Sequence, residues 1–71
     1  MLVQIQILNQ LGEFKGEVIE VNDLQYEEIC NRSKNFYDEG FEMDLDGGGF
    51  IVITPDLIKN SILKINKINK V

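Results

Sequence analysis

The chain has 71 residues, of which 44% are hydrophobic and 27% charged, and it contains one cysteine and no histidine. This length predicts one domain, residues 1–71, and the composition is that of a globular protein rather than a disordered one. The absence of histidine excludes histidine-dependent catalytic triads and His-containing zinc sites. We expect a non-enzymatic protein without a cofactor.

The location of the protein is predicted from its first residues and its cysteine content. The stretch MLVQIQIL has no basic residue and is interrupted by glutamines, unlike a signal peptide. The longest apolar run, Phe50–Ile53, is far too short to span a membrane. A single cysteine excludes an internal disulfide framework and is typical of a reducing compartment. We therefore expect a soluble, cytoplasmic protein.

The charge is distributed unevenly along the chain. Residues 1–56 hold all 12 acidic side chains and only three basic ones, which gives −9, whereas residues 57–71 hold four lysines and no acid, which gives +4. An acidic body is thus followed by a basic C-terminal segment.

The first 21 residues predict two strands. Between Leu2 and Leu8, apolar and glutamine side chains alternate with the period of a half-buried strand. A hairpin loop containing Gly12 follows, and Phe14–Val21 is the returning strand. The apolar parity of this second strand shifts at Gly16, which predicts a bulge there.

A helix of about four turns is predicted next. Asn22 and Gln25 have the spacing of a capping box, and Gly40 lies where the helix should end. The apolar stripe comprises Tyr26, Ile29, Cys30, Ser33, Phe36 and Tyr37. The opposite face carries Glu27, Glu28, Asn31, Arg32, Asn35 and Asp38.

The remainder predicts three more strands. Phe41–Leu45 alternates, and Phe50–Thr54 is apolar on both faces, as in a central strand or one beneath the helix. Thr54 and Pro55 can open a single helical turn. Residues 61–71 fit either a strand or a helix; isoleucine content favours a strand, with the last few residues frayed.

Together these elements predict a two-layer α+β domain of order β-β-α-β-β-β, in which one amphipathic helix packs on an antiparallel sheet of about five strands. The predicted sheet core comprises Val3, Ile5, Ile7, Val18, Phe41, Met43, Ile51, Ile53 and Ile65. The far sheet face would be bare, with Leu8, Val52 and Ile62 contributing apolar area. Such a face predicts a homodimer or another protein partner.

The stretch DLDGGGFIVITPD resembles two ligand-binding loops. A calcium loop beginning at Asp44 would lack ligands at its fifth and twelfth positions. A phosphate loop requires a lysine and a helix after the glycines, but Phe50 and a strand follow here. We interpret Asp46 to Gly49 as a hairpin turn, whose glycines Gly47, Gly48 and Gly49 form a mobile tip able to contact a partner.

Acidic side chains on the outer helix face are the second candidate for partner binding: Glu27, Glu28, Asp38 and Glu39. One alternative is a solvated face, partly neutralised by i,i+4 pairs of Glu28 with Arg32 and Lys34 with Asp38. Another is mimicry of DNA phosphates, which usually needs a denser, less compensated charge.

The four lysines of the basic C-terminal segment allow two interpretations. Lys59, Lys64, Lys67 and Lys70 either protect an edge strand or contact nucleic-acid phosphates. The segment has no arginine and no aromatic residue for base stacking, so nucleic-acid binding is disfavoured.

A metal-dependent enzyme that uses only carboxylates, with Asp44 and Asp46 as ligands, is the third and least favoured functional hypothesis. Cys30 is expected to be a buried structural residue.

The order of elements, including YEEICNRSKNFYDEGF and GGFIVITPDLIKNSILKI, resembles the small accessory proteins encoded by phages and prophages of low-GC Gram-positive bacteria. The resemblance implies a protein that binds a host or phage factor, such as a modulator or inhibitor of a host protein. It transfers no functional residue. The sequence thus favours a protein-binding module, with nucleic-acid association as the alternative.

Overall fold

The computed structural model describes residues 1–68; the predicted fraying of the last residues and the candidate Lys70 lie outside the described residues. Within this range the elements are β1 (Leu2–Asn9), β2 (Gly12–Lys15), β3 (Ile19–Glu20), α1 (Asp23–Glu39), β4 (Phe41–Asp44), β5 (Phe50–Ile53), α2 (Pro55–Ile58) and β6 (Ile62–Ile68). All strand pairs are antiparallel, and the predicted α+β fold class is confirmed.

Strand β1 is the centre of the larger sheet. It pairs with β2 and β3 on one side and with β6 on the other. The β1–β6 register places Val3 opposite Lys67, Ile5 opposite Ile65 and Ile7 opposite Leu63. Directly opposed residues share a sheet face. Val3 and Ile7 on this face are buried and Ile5 and Ile65 half-buried, so the predicted inward positions of β1 and β6 are confirmed. The strand interpretation of the C-terminal segment is confirmed over Ile62–Ile68.

The predicted break at Gly16 divides the returning strand into β2 and β3. The Gly16 amide donates to the Ile5 carbonyl at 2.8 Å, and the Glu17 amide donates to the Asp44 carbonyl at 3.1 Å. A β-carbon on Gly16 would lie 2.8 Å from the Met43 sulfur and 3.4 Å from the Asp44 carbonyl oxygen, so a larger residue would require the Met43 side chain to move. At this break, Gly16 therefore bonds to β1 and the next residue, Glu17, bonds to β4.

The strands form two sheets rather than the single predicted sheet. Within residues 1–68, β4 and β5 make a separate hairpin, joined to the larger sheet through the Gly16–Leu45 bridge. After the break, the returning strand pairs with β1 again, with Ile19 opposite Val3. Val18 lies between the two paired segments; it is exposed and does not belong to the core, contrary to the prediction.

Helix α1 begins and ends as predicted. The Asn22 side chain accepts a hydrogen bond from the Gln25 amide at 2.8 Å, and the Gln25 side chain accepts one from the Asn22 amide at 2.9 Å. Both bonds of the capping box are therefore present, which contributes about 1 kcal/mol to helix stability. Gly40 follows the helix with φ = 83°, and its amide donates to the Phe36 carbonyl.

Helix α1 lies along β6 and runs antiparallel to it. Near the start of the helix, the Lys67 ammonium lies 4.8 Å from the centre of the Tyr26 ring. Near its end, the Tyr37 hydroxyl donates to the Ser61 carbonyl at 3.5 Å. The predicted apolar stripe is half-buried at every position, but no residue of α1 is fully buried. The helix therefore covers one side of the sheet without being enclosed.

The core lies where α2 meets the two sheets. Ile7, Ile53 and Ile58 are fully buried together, and Phe14, Tyr37, Phe41, Met43, Ile51, Leu57 and Leu63 pack around them. Burying one isoleucine contributes about 1.5–3 kcal/mol. Ser61 forms the corner between α2 and β6: its hydroxyl donates to the Leu57 carbonyl at 2.9 Å and accepts from Asn9 at 3.1 Å.

The far face of the larger sheet is polar at its centre. The Asn66 amide donates to the Gln6 side chain at 3.0 Å, and Gln4 donates to the Gly16 carbonyl at 2.9 Å. Apolar side chains occupy its ends, including Leu8 directly opposite Ile62. Val52 belongs to the other sheet. The apolar area expected on this face is therefore interrupted by amides.

No helix within residues 1–68 combines the length and the apolar character needed to cross a membrane.

Candidate functional site

The outer face of the β4–β5 hairpin combines carboxylates with exposed apolar side chains. Glu42 lies directly opposite Val52, and Asp44 lies directly opposite Phe50. Val52 is 65% exposed and Phe50 56% exposed, and both carboxylate residues are exposed. The sequence predicts β5 as a central strand or one beneath the helix, but within residues 1–68 it pairs with β4 alone and this face is uncovered. We refer to Glu42, Asp44, Phe50 and Val52 as the hairpin face.

A groove adjoins the hairpin face where α1 ends. Its volume is about 430 Å³, and its lining comprises Arg32, Phe36, Glu39, Gly40, Phe41, Glu42, Val52, Ile53, Thr54 and Pro55. The rings of Phe36 and Phe41 meet in this lining with their centres 4.4 Å apart. Glu39 and Glu42 add two carboxylates. Because Glu42 and Val52 belong to both features, the groove and the hairpin face form one continuous surface.

Gly40 sets the distance between the helix end and the hairpin. A β-carbon at this position would lie 2.7 Å from the Ile53 carbonyl oxygen and 3.2 Å from Pro55. Its φ of 83° with ψ of −178° is also a conformation that glycine alone adopts readily. The sequence predicts the end of the helix, but the close approach to Ile53 is visible only in the fold.

The triple glycine is a hairpin turn in which all three residues have left-handed φ angles: 83° at Gly47, 106° at Gly48 and 97° at Gly49. The Gly48 amide donates to the Leu45 carbonyl at 3.1 Å, and the Leu45 amide donates to the Gly49 carbonyl at 3.0 Å. An i,i+3 bond with positive φ at the third residue is the type II pattern. The turn geometry thus accounts for all three glycines, and a contact role for this tip stays a prediction.

The acidic candidates on α1 lie in two groups. Glu27, Glu28, Asp38 and Glu39 are all exposed. Asp38 lies ten positions after Glu28, which corresponds to about 15 Å along the helix. Glu39 and Glu42 both line the groove. The remaining three are not part of that lining.

The predicted i,i+4 ion pairs of α1 do not form. Among residues 1–68 the one ion pair within 4.0 Å joins Lys15 to Glu13, at 3.3 Å on the surface. Glu28 and Lys34 are therefore not paired with Arg32 and Asp38, and no described lysine or arginine lies within 4.0 Å of a carboxylate of α1.

The lysine candidates do not share one face. Lys64 points to the far side of β6, opposite Gln6, whereas Lys67 lies on the helix side, over Tyr26. Lys59 is exposed after α2. These described lysines thus lie on different surfaces of the protein.

The metal candidates Asp44 and Asp46 lie at the end of β4 and in the following turn. Within the described part of the chain, no three Asp, Glu, Cys or His side chains are grouped as an ion would require. The backbone of both aspartates is used structurally: the Asp44 carbonyl accepts from Glu17, and the Asp46 amide donates to Lys15.

Cys30 is half-buried one helical turn after Tyr26. Hydrogen bonding to Cys30 raises the pKa of the Tyr26 hydroxyl above its ordinary value, and partial desolvation and the charge of the thiolate act in the same direction.

Sequence reasoning missed four central residues of the candidate surface: Phe36, Phe41, Glu42 and Phe50. Val52 was expected to contribute apolar area on the bare sheet face. A signal was nevertheless present. Once the glycines are taken as a hairpin turn, the alternation of Glu42 and Asp44 places them opposite Val52 and Phe50. The apolar composition of Phe50–Ile53 was instead interpreted as a sign that this strand is buried. Comparison with protein-family models, curated proteins and solved structures finds no match to this chain.

Proposed function

We propose that this protein is a non-enzymatic protein-binding module that contacts a basic, partly apolar surface of its partner through the hairpin face and the adjoining groove. The observation that carries this proposal is the direct pairing of Glu42 with Val52 and of Asp44 with Phe50, all four being exposed. Exposed apolar side chains bordered by one sign of charge are typical of protein interaction sites.

The acidic charge of the hairpin face supports a cationic partner. Residues 1–56 carry a net charge of −9, and Glu42 and Asp44 lie outside the single ion pair of the described residues. Acidic side chains in this arrangement attract a positively charged surface and repel a negative one, so they contribute selectivity and association rate. Phe50 and Val52 then supply the apolar area that becomes buried.

The resemblance to phage accessory proteins supports a modulator or inhibitor of a host protein as the biological role. The test is affinity capture from a lysate of the source organism, followed by titration of the purified candidate. The expected partner binds saturably, and the double variant Glu42→Lys/Asp44→Lys loses this binding. Glu27→Lys/Glu28→Lys, with the same change of charge on α1, retains it. Equal binding by both variants contradicts the proposed surface.

Nucleic-acid association through Lys59, Lys64, Lys67 and Lys70 is the alternative. Electrophoretic mobility of labelled DNA and RNA at low salt tests it, since phosphate contacts produce binding that weakens steeply as salt is added. The separation of Lys64 and Lys67 onto opposite faces of β6 favours the protein-binding proposal over this one.

A further inference from the structure

Strand β5 has a free hydrogen-bonding edge. Within residues 1–68 it pairs with β4 alone. It carries neither proline nor a charged residue, the devices that usually protect such an edge. Phe50 and Val52 are exposed beside it.

The direction of the free backbone groups follows from the neighbouring strand. The Asp44 carbonyl accepts from the Glu17 amide at 3.1 Å, so it points away from β5. Asp44 and Phe50 are therefore a non-hydrogen-bonded pair of the antiparallel ladder. By alternation, Glu42 and Val52 are another. The amides and carbonyls of Phe50 and Val52 thus point outward from the hairpin, and no described hydrogen bond uses them.

We infer that β5 binds an extended segment of the partner as an added antiparallel strand, with lysine or arginine at the positions that flank Phe50 and Val52. This inference rests on the proposed function and specifies its binding mode and its ligand. The outward groups of Phe50 and Val52 would supply the main-chain hydrogen bonds, as in other cases of strand addition.

The negative charge of Glu42 and Asp44 determines which side chains of the added strand bind favourably. Its outward side chains lie next to Phe50 and Val52, and the carboxylates of Glu42 and Asp44 lie one strand further, about 4.8 Å beyond β5. Lysine and arginine have long aliphatic stems that cover apolar side chains while the charged head reaches further. Such a side chain therefore covers Phe50 or Val52 and places its charge near a carboxylate. Acidic side chains at these positions would be repelled.

The first experiment uses a labelled synthetic 12-residue peptide of alternating lysine and valine and its glutamate–valine counterpart, with binding followed by fluorescence anisotropy. The Lys–Val peptide is expected to bind, and the Glu–Val peptide is not. Equal binding of the two overturns the charge argument. Amide hydrogen exchange provides the readout on the unaltered protein. The amides of Phe50 and Val52 exchange rapidly alone and become protected with the Lys–Val peptide. Binding without this protection overturns strand addition.

A proline variant tests the edge directly. Val52→Pro removes one outward donor, and proline is tolerated where a strand amide faces solvent. We expect the affinity for the Lys–Val peptide to fall about tenfold or more, the loss corresponding to one or two backbone hydrogen bonds. Leu24→Pro is the matched control, because Leu24 is also 65% exposed and lies in the first turn of α1, where proline is accepted. Unchanged affinity of Val52→Pro contradicts the inference.

The outcomes separate this inference from the proposed function. If Glu42→Lys/Asp44→Lys abolishes peptide binding but Phe50 and Val52 stay unprotected, the acidic surface stands and strand addition fails. If the charge-reversed variant binds the peptide as tightly as the unaltered protein, the proposed surface itself fails. A dimer without peptide in sedimentation velocity that Val52→Pro dissociates would show that a second copy occupies β5, and would overturn the inference.

Discussion

Gly40 lies so close to Ile53 that a β-carbon on Gly40 would come within 2.7 Å of the Ile53 carbonyl oxygen. Replacing Gly40 with alanine should therefore combine backbone strain with a steric clash, each costing about 1–3 kcal/mol. Chemical denaturation of Gly40→Ala measures the loss. Gly48→Ala is the control, because Gly48 also has positive φ but a β-carbon there would meet no atom within 4 Å. It should lose about 1–2 kcal/mol. Equal losses would contradict the close approach.

Ile58 is fully buried in the four-residue helix α2, although the sequence alone does not assign it to the core. Ile58→Ala should lower the free energy of unfolding by about 2–5 kcal/mol, because a cavity forms where two sheets and α2 meet. Ile62→Ala makes the same chemical change at a residue that is 63% exposed. It should shift stability by about 0.5 kcal/mol or less. A similar loss in both variants would show that α2 does not close the core.

The last turn of α1 contains Asp38 and Glu39 and no basic residue. Carboxylates at a helix C-terminus oppose the helix dipole, so Glu39→Lys should stabilise the protein by about 0.3–1 kcal/mol at low salt. The same replacement at Asp23, in the first turn, should destabilise it by a similar amount. Thermal unfolding at low and high salt measures both shifts, and salt should reduce each of them. A gain at Asp23 would contradict the dipole argument.

The contact between Tyr26 and Cys30 on α1 can be tested by titrating Tyr26 at high pH. In a Tyr37→Phe background Tyr26 is the one remaining tyrosine, and tyrosinate absorbance reports its pKa directly. The pKa should lie above the ordinary value of 10.0, and Cys30→Ala should lower it because the hydrogen bond is lost. The folded-state pKa is raised, so its contribution to stability is present below pH 10.0 and is lost as pH rises through the raised pKa. An unchanged midpoint in Cys30→Ala would contradict the contact.

Helix α1 illustrates what local sequence signals predict well. Its cap at Asn22, its termination at Gly40 and its apolar stripe depend on residues within a few positions of one another, and each is confirmed. The alternation of β1 is equally local. The hairpin turn at Gly47 to Gly49 also follows from local backbone preference, since left-handed φ angles favour glycine.

The candidate surface depended on neighbours that are distant in sequence. FIVI has the same composition whether a strand is central or at an edge, and only the tertiary structure shows that β5 pairs with β4 alone. Phe50 and Val52 are exposed on this hairpin, and Val18 is exposed next to the break at Gly16. At that break the returning strand bonds to both β1 and β4, which joins the two sheets.

The sequence by itself therefore determined the α+β class, the helix with its ends and the inward face of β1, because these follow from backbone preferences and from the repeat of apolar side chains. Only the tertiary structure decided which apolar residues are covered, that α2 completes the core, and that Glu42 and Asp44 lie opposite exposed Val52 and Phe50. Burial and edge formation are set by the positions of whole strands, and those positions depend on packing between segments far apart in the chain.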